Sequence, residues 1–366
     1  MKKTNKTLKS ILNNLDFLIQ QDTQNPPRKI CQEDELYRHL TNHFETSGFK
    51  VEITDLGDGH VIFYAKKGTP SVLFNVHLDT VPVTASTIEH WHYDPFKLTI
   101  DNDKAYGRGS CDIKGAAAIL MLLAESANDM AVVFTSDEEG ANGCCVQSFI
   151  DNNDLSQYQQ IIIAEPTQSK AVVSHRGYLS TYIEFSGVCG HSSMAIALAE
   201  NAIHKANKWL FQALCYAGSF VKEDNPAGIC FNVGVIKGGE KNNMIAEKVN
   251  LDFSARVPSG VSSKEIFENM QVFDKNAKFR AGMMAPPLPA DGQNDKASLA
   301  FCSKQAIEVA NPVDFWTEAA LFSQAGFPAI VLGPGDIKQA HTIDEWVALS
   351  QLQKIHTIYQ GIIHAS

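Results

Sequence analysis

The chain has 366 residues, 44% hydrophobic and 20% charged, a globular composition with length for roughly two domains. A formal net charge of −10 weighs against nucleic acid or an anionic membrane surface as partner and leaves carboxylates for a cation site. No apolar run is long enough for a bilayer, Asn13, Asn14 and Asp16 interrupt any signal-peptide core, and the eight cysteines show no CxxC, so a cytoplasmic protein with reduced thiols is expected.

Leu8, Ile11, Leu12, Leu15, Leu18 and Ile19 have the spacing of an amphipathic helix. Asp22 to Pro27 reads as a loop, and Glu35 to Ser47 as a helix stopped by Gly48. Val51 to Ile53 and Val61 to Phe63 flank Gly57-Asp58-Gly59, a hairpin signal. Val72 to Val76, an apolar run without helical period, is a buried strand running into His77-Leu78-Asp79. Gly107-Arg108-Gly109-Ser110-Cys111-Asp112 leads into an alanine-rich helix from Ala116 to Ala127. Ala131 to Thr135 is a strand ending in Ser136-Asp137-Glu138-Glu139, and Ile161 to Ala164 one ending in Glu165-Pro166.

The middle changes rhythm. Strands at 179–185, 229–236, 249–257 and 277–281, with helices at 195–216 and from Lys264, spell βαββαβ, the split pattern of a two-layer domain. Residues 176–286 therefore read as a domain inserted into an α/β domain made of 1–175 and 287–366. Helices at 300–309 and from Thr317, a strand at 328–332, Ala340-His341-Thr342 and a helix at 349–363 complete the chain.

Each apolar run that ends in an acid or histidine places that group at a strand's carboxyl end, where α/β sheets bind ligands. His77, Asp112, Glu139, Glu165 and His341 form a mixed imidazole–carboxylate set suited to zinc, cobalt or manganese. Three carboxylates and two neutral imidazoles leave a single positive charge beside two divalent ions, which one bridging hydroxide would neutralise; one carboxylate must then bridge, and Asp112, at the mouth of a helix, is the candidate. Asp79 suits a supporting role, hydrogen-bonding the His77 imidazole. Glu138, beside a ligand but itself free, suits a general base. A lone histidine or acid at a strand end is ordinarily structural; the ordered set is what separates this chain from that reading. His39 and His43 lack the glutamate of a zinc-protease helix and read as surface residues. His90 and His92 read as packed or solvated, and Cys144-Cys145 as buried or idle.

Val76-His77-Leu78-Asp79-Thr80-Val81-Pro82, Gly107 to Gly115 and Ser136-Asp137-Glu138-Glu139 resemble the acetylornithine deacetylase and succinyl-diaminopimelate desuccinylase family of two-zinc amidohydrolases, from about Asp22 to His364. The resemblance implies a zinc-peptidase-like catalytic domain with a mixed sheet and an inserted ferredoxin-like lid and dimerisation domain. It implies His77 and Glu165 on one zinc, Glu139 and His341 on the other, Asp112 on both, and Glu138 as base. Cobalt or manganese are possible substitutes. Gly190-His191-Ser192-Ser193 is similar to the family's lid motif, with His191 polarising the scissile carbonyl. Asn243, Arg256 and the backbone at Gly335 are implied substrate contacts. Asp314 to Ala319 and Gly333 to Ile337 are most similar to the acetylcitrulline and acetylornithine branch. The resemblance thus implies a homodimer that hydrolyses an N-acetyl amino acid in arginine synthesis. A desuccinylase or dipeptidase is the alternative of the same chemistry, and a non-catalytic metal-binding protein the alternative of another class.

Overall fold

The computed structural model describes residues 6–27, 30–140, 144–223, 225–290 and 295–365. The chain divides into two compact units, Met1–Val173 with Asn294–Pro312 and Thr317–Ser366, and Ser174–Gln293 with Val313–Trp316.

Among the described residues, the first unit is built on a six-stranded sheet in the order Lys50–Asp55, Val61–Lys67, Met130–Thr135, Val72–His77, Gln160–Ile163, Ala329–Val331. The first three strands pair antiparallel and the rest parallel, so the sheet is mixed. Val72–His77, Met130–Thr135 and Gln160–Ile163 are buried at every position, as expected of parallel strands covered on both faces. The helix Lys114–Ala124 is buried almost all round, packed by Lys6–Gln20 and Leu349–Ala365. Its alanines let those helices approach closely. Leu8, Ile11, Leu15, Leu18 and Ile19 are the buried stripe of the first helix, the face its spacing predicts.

The second unit is a four-stranded antiparallel sheet ordered Cys230–Gly238, Lys248–Val257, Gly177–Ser186, Lys278–Ala285. In chain order this is second, third, first, fourth, with helices Ala202–Gly218 and Ser263–Gln271 as the crossovers. Strand Lys248–Val257 alternates exposed and buried along its length, and Trp209 fills the space between sheet and helix beside Phe185, Phe231, Phe253 and Phe279.

Two expectations change, and one small sheet was not expected. The helix expected from Ala195 begins at Ala202, because the Asn201 side chain accepts the Ile203 amide and caps it, leaving only a short turn at Ala195–Ala197. The helix expected through Val309 runs Asp295–Lys304; Ala306 turns to φ +53° and Val309 bridges to Ala171. A small sheet of Trp346–Ala348, Lys104–Tyr106 and Thr99–Asp101 is new. No described helix is long and apolar enough to cross a membrane.

Candidate metal and catalytic site

Five strand or loop ends of the first unit converge. His77 closes the strand Val72–His77 and is 1% exposed. Glu138 and Glu139 follow Met130–Thr135, Glu165 follows Gln160–Ile163, and Asp112 sits between Tyr106 and the helix from Lys114. His341 lies just beyond a short turn at Ile337–Gln339 with φ +62°, a backbone region that few non-glycine residues adopt.

Asp112 stands in the middle. Its Oδ1 lies 3.1 Å from His77 Nε2, and its Oδ2 lies 3.3 Å from His341 Nε2. Glu165 Oε1 approaches His77 Nε2 at 3.3 Å, and Glu139 Oε1 approaches His341 Nε2 at 3.0 Å. Donor atoms of His77, Glu138 and Glu165, and of His77, Asp112 and Glu139, gather within 4.8 Å of one another.

The His77 ring is oriented from behind. Its Nδ1 is 3.0 Å from the carbonyl oxygen of Asp79 and 3.5 Å from that residue's carboxylate. An N–H on Nδ1 leaves the Nε2 lone pair for the site. The backbone of Asp79 thus takes the bond expected of its side chain. The carboxylate is used elsewhere: Oδ2 accepts the Glu139 amide at 2.8 Å and the Asn25 side chain at 3.4 Å, and Oδ1 accepts the Glu138 amide at 3.3 Å. Asp79 therefore holds the double-glutamate turn.

Electrostatics reflect the crowding of acids. Burial and the Glu165 charge push the Glu138 carboxyl well above the ordinary carboxylate range. Burial and Asp112 push Glu165 up to about 7, and the same two causes raise Glu139. Asp112 goes the other way: burial opposes its charge, but hydrogen bonds from His341 and His77 outweigh it and hold it low. Hydrogen bonds to Asp112 and Glu139 lift His341 to about 10. For His77, the charge of Glu165 and the neighbouring acids overcome a large burial effect and raise it. Two imidazoles and four carboxyl groups thus face one another, and that donor chemistry fits a divalent metal pair.

Glu345 was not anticipated. It is 1% exposed, and its carboxylate accepts Arg108 Nη1 at 2.8 Å and the amides of Gly109, Cys111 and Asp112 at 3.0, 2.9 and 3.0 Å. The available signal was Arg108: a buried guanidinium requires an acid partner. Glu318, also buried, receives the Thr135 hydroxyl at 3.3 Å.

The second unit carries His191, Asn243 and Arg256. The short strand Gly190–His191 pairs with Met244–Ile245, and Ser192 N–H donates to Asn243 O at 3.0 Å, so the first two are neighbours. His191 Nδ1 accepts the Ser193 amide at 3.3 Å and lies 2.8 Å from the Ser193 hydroxyl, which leaves the ring proton on Nε2 as a donor. Arg256 lies over the Tyr178 ring at 4.6 Å. Gly335 departs from expectation: its N–H donates to Gln351 Oε1 at 2.5 Å, so that amide is already engaged and is not a ready carboxylate donor.

Several of the other histidines, and Cys145, have local partners. His39 stacks on Phe17 at 3.8 Å and His43 Nε2 bonds Met121 O at 2.8 Å, so both are packing groups and not solvated surface residues. His92 pairs with Asp344. Cys145 is buried and its thiol is pushed far up by burial; nearby, Asp137 accepts from His60 Nδ1 at 2.8 Å and from the Cys145 amide at 3.0 Å.

Residues 73–365 match the family described as peptidase family M20/M25/M40. The chain is 39% identical to the N-acetyl-L-citrulline deacetylase of Xanthomonas campestris pv. campestris, over 98% of this chain and 99% of that protein. It is 31% identical to an acetylornithine deacetylase of Aliivibrio fischeri, over 90% and 91% of the two chains. Among solved structures it resembles aminopeptidase PepT of Bacillus cereus, with TM-score 0.73 and 17% identity over 97% of this chain and 98% of that one. The YXEP protein of Bacillus subtilis, described as a dinuclear metal binding peptidase, aligns with TM-score 0.66 and 14% identity over 98% and 97%. At such identities the structural likeness speaks for the fold alone.

Proposed function

Because the chain belongs to peptidase family M20/M25/M40, a family of hydrolases, we propose that it cleaves the N-acetyl amide of an N-acetyl amino acid, releasing acetate and the free amine. N-acetyl-L-citrulline and N2-acetyl-L-ornithine are the proposed substrates, by likeness to relatives so named, and arginine synthesis the proposed setting. The observation that carries the chemistry is the division of Asp112, one oxygen toward each imidazole.

His77 and Glu165 would hold one divalent ion, His341 and Glu139 the other, and Asp112 both, with zinc the proposed metal and cobalt or manganese as alternatives. Bound there, such ions supply Lewis acidity toward an amide carbonyl and make water more acidic. The chain's own residues do the rest. Glu138, raised in basicity by its surroundings, takes the proton of the attacking water and returns it to the leaving nitrogen. Asp79 keeps Glu138 and Glu139 in place through their amides. His191 Nε2–H donates to the scissile carbonyl oxygen as charge develops there, and Arg256 and Asn243 hold the substrate's carboxylate end.

We propose a homodimer formed through the second unit. Support comes from the strand Cys230–Gly238, an edge of its sheet among the described residues, with Ile236 55% exposed, and from Phe211, 68% exposed, on the helix Ala202–Gly218.

The deciding experiment is kcat/KM on N-acetylcitrulline, N2-acetylornithine, N-succinyl-diaminopimelate and a dipeptide. Preference for either acetylated compound supports the proposal. Preference for the succinyl compound or the dipeptide replaces it with the alternative hydrolase.

A further inference from the structure

The small sheet absent from the sequence reading has a geometric consequence. Trp346 pairs antiparallel with Tyr106, so the residue before Trp346 lies opposite the residue after Tyr106. That residue is Glu345, and Gly107 N–H donates to its carbonyl oxygen at 3.0 Å. From this fixed point the side chain reaches under the loop from Gly107 to Asp112. Oε2 takes Arg108 Nη1 and the Gly109 amide, and Oε1 takes the Cys111 and Asp112 amides. Each oxygen accepts two donors, which fills the carboxylate's ordinary capacity. The last of those donors belongs to the residue whose side chain stands between His77 and His341.

We propose that Glu345 is a positioning residue for the metal pair: it fixes the Asp112 backbone so that the side chain presents one oxygen to each imidazole. The proposal rests on the two-metal reading above and extends it to a residue outside the ligand set. A buried Arg108–Glu345 pair that served only to hold the fold would need neither the Cys111 nor the Asp112 amide. Because Asp112 faces both imidazoles, displacing it weakens both metal positions, whereas losing a ligand such as Glu165 weakens one.

Glu345→Gln tests this without changing size. Its NH2 group must face one pair of N–H donors. Arg108 is charged and retains the oxygen, so the repelled pair is that of Cys111 and Asp112. Zinc is loaded into the full-length protein and withdrawn with a graded chromophoric chelator, so the readout is metal release and not activity. The expected result is release of both zinc ions at chelator concentrations lower by about 10- to 100-fold, with kcat reduced and KM within about twofold of the parent. Glu345→Asp, which keeps the charge on a shorter arm, should fall between the two, and decides the matter if Glu345→Gln does not fold. Release by a folded variant at the parent's chelator concentration overturns the proposal, whatever happens to its melting temperature. Failure of the parent to take up zinc, cobalt or manganese would instead overturn the two-metal reading, and this inference with it.

Discussion

Glu138 and Glu139 adjoin in the chain, and Asp79 holds both amides, yet their carboxyls serve different partners. Glu139 Oε1 sits 3.0 Å from His341, while among the described residues Glu138 makes no such imidazole bond. Glu138→Gln should therefore lower kcat by about 10²- to 10⁴-fold while leaving metal content by elemental analysis unchanged. Asp79→Asn should act on both counts, because a side-chain amide presents N–H to one of the two backbone donors; a loss of about 10- to 100-fold in metal affinity is expected. Equal metal retention in the two variants would mean that Asp79 does not organise the turn. His175 carries the clearest pH signature in the second unit. It is 1% exposed, with Nδ1–H donating to Arg176 O at 3.0 Å, and burial lowers it to about 4, against the ordinary 6.5 or so of an unfolded chain. Between those values the unfolded chain binds the extra proton. The contribution to stability is thus complete above about pH 6.5 and is lost as pH falls toward 4, roughly 3 kcal/mol in all. Comparing urea midpoints at pH 7 and pH 4.5, the parent should lose more than His175→Gln; identical losses would remove His175 as the cause.

Elements that carry a long apolar signal are legible in the sequence, and short polar ones are not. Val72–His77 and Met130–Thr135 are unbroken apolar runs apart from Asn75 and their last residues, so both the strands and the groups at their ends could be found. Thr99–Asp101, Lys104–Tyr106 and Trp346–Ala348 have three residues each, too few for a period of two to register, and with them went Glu345. Ala195 to Ala199 looks helical by propensity, but the cap at Asn201 decides where the helix begins. The use of Gly335 is a matter of packing that no motif reveals. Its φ is +90°, and a Cβ there would lie 2.3 Å from Cys111 Sγ, one residue before Asp112. Gly335→Ala should cost about 1–3 kcal/mol through backbone strain and should disturb metal binding through Cys111. Adding Cys111→Ala relieves the collision but not the strain. The double variant should therefore regain metal affinity while staying less stable than the parent. Purely additive effects on metal affinity would show that the two positions do not meet.

At the scale of the molecule, each unit has a hydrophobic core among the described residues. One gathers Leu15, Phe63, Phe134, Leu352 and Tyr359, and the other Leu179, Trp209, Phe253 and Met270. Among the described residues, the groups of donors that could hold a metal belong to the first unit. Burial and neighbouring acids raise the proton affinity of Glu138, Glu139 and Glu165, so the ends of its central strands bring like charges together. An ion that binds only the folded state adds stability that grows with its concentration, about 2.7 kcal/mol at a hundredfold excess over Kd. That gain should be local, because amide exchange reports opening segment by segment. Hydrogen exchange of the metal-loaded protein, with and without chelator, should speed up in peptides covering 73–80, 107–115 and 130–140. Those segments carry the amides of Asp112, Glu138 and Glu139, whose acceptors are Glu345 and Asp79. Peptides covering 177–186 and 248–257, which form the centre of the second unit's sheet, should exchange at an unchanged rate. Faster exchange in both sets would mean that the cations stabilise the whole chain, and no change in the first set would mean that the acidic cluster is stable without them.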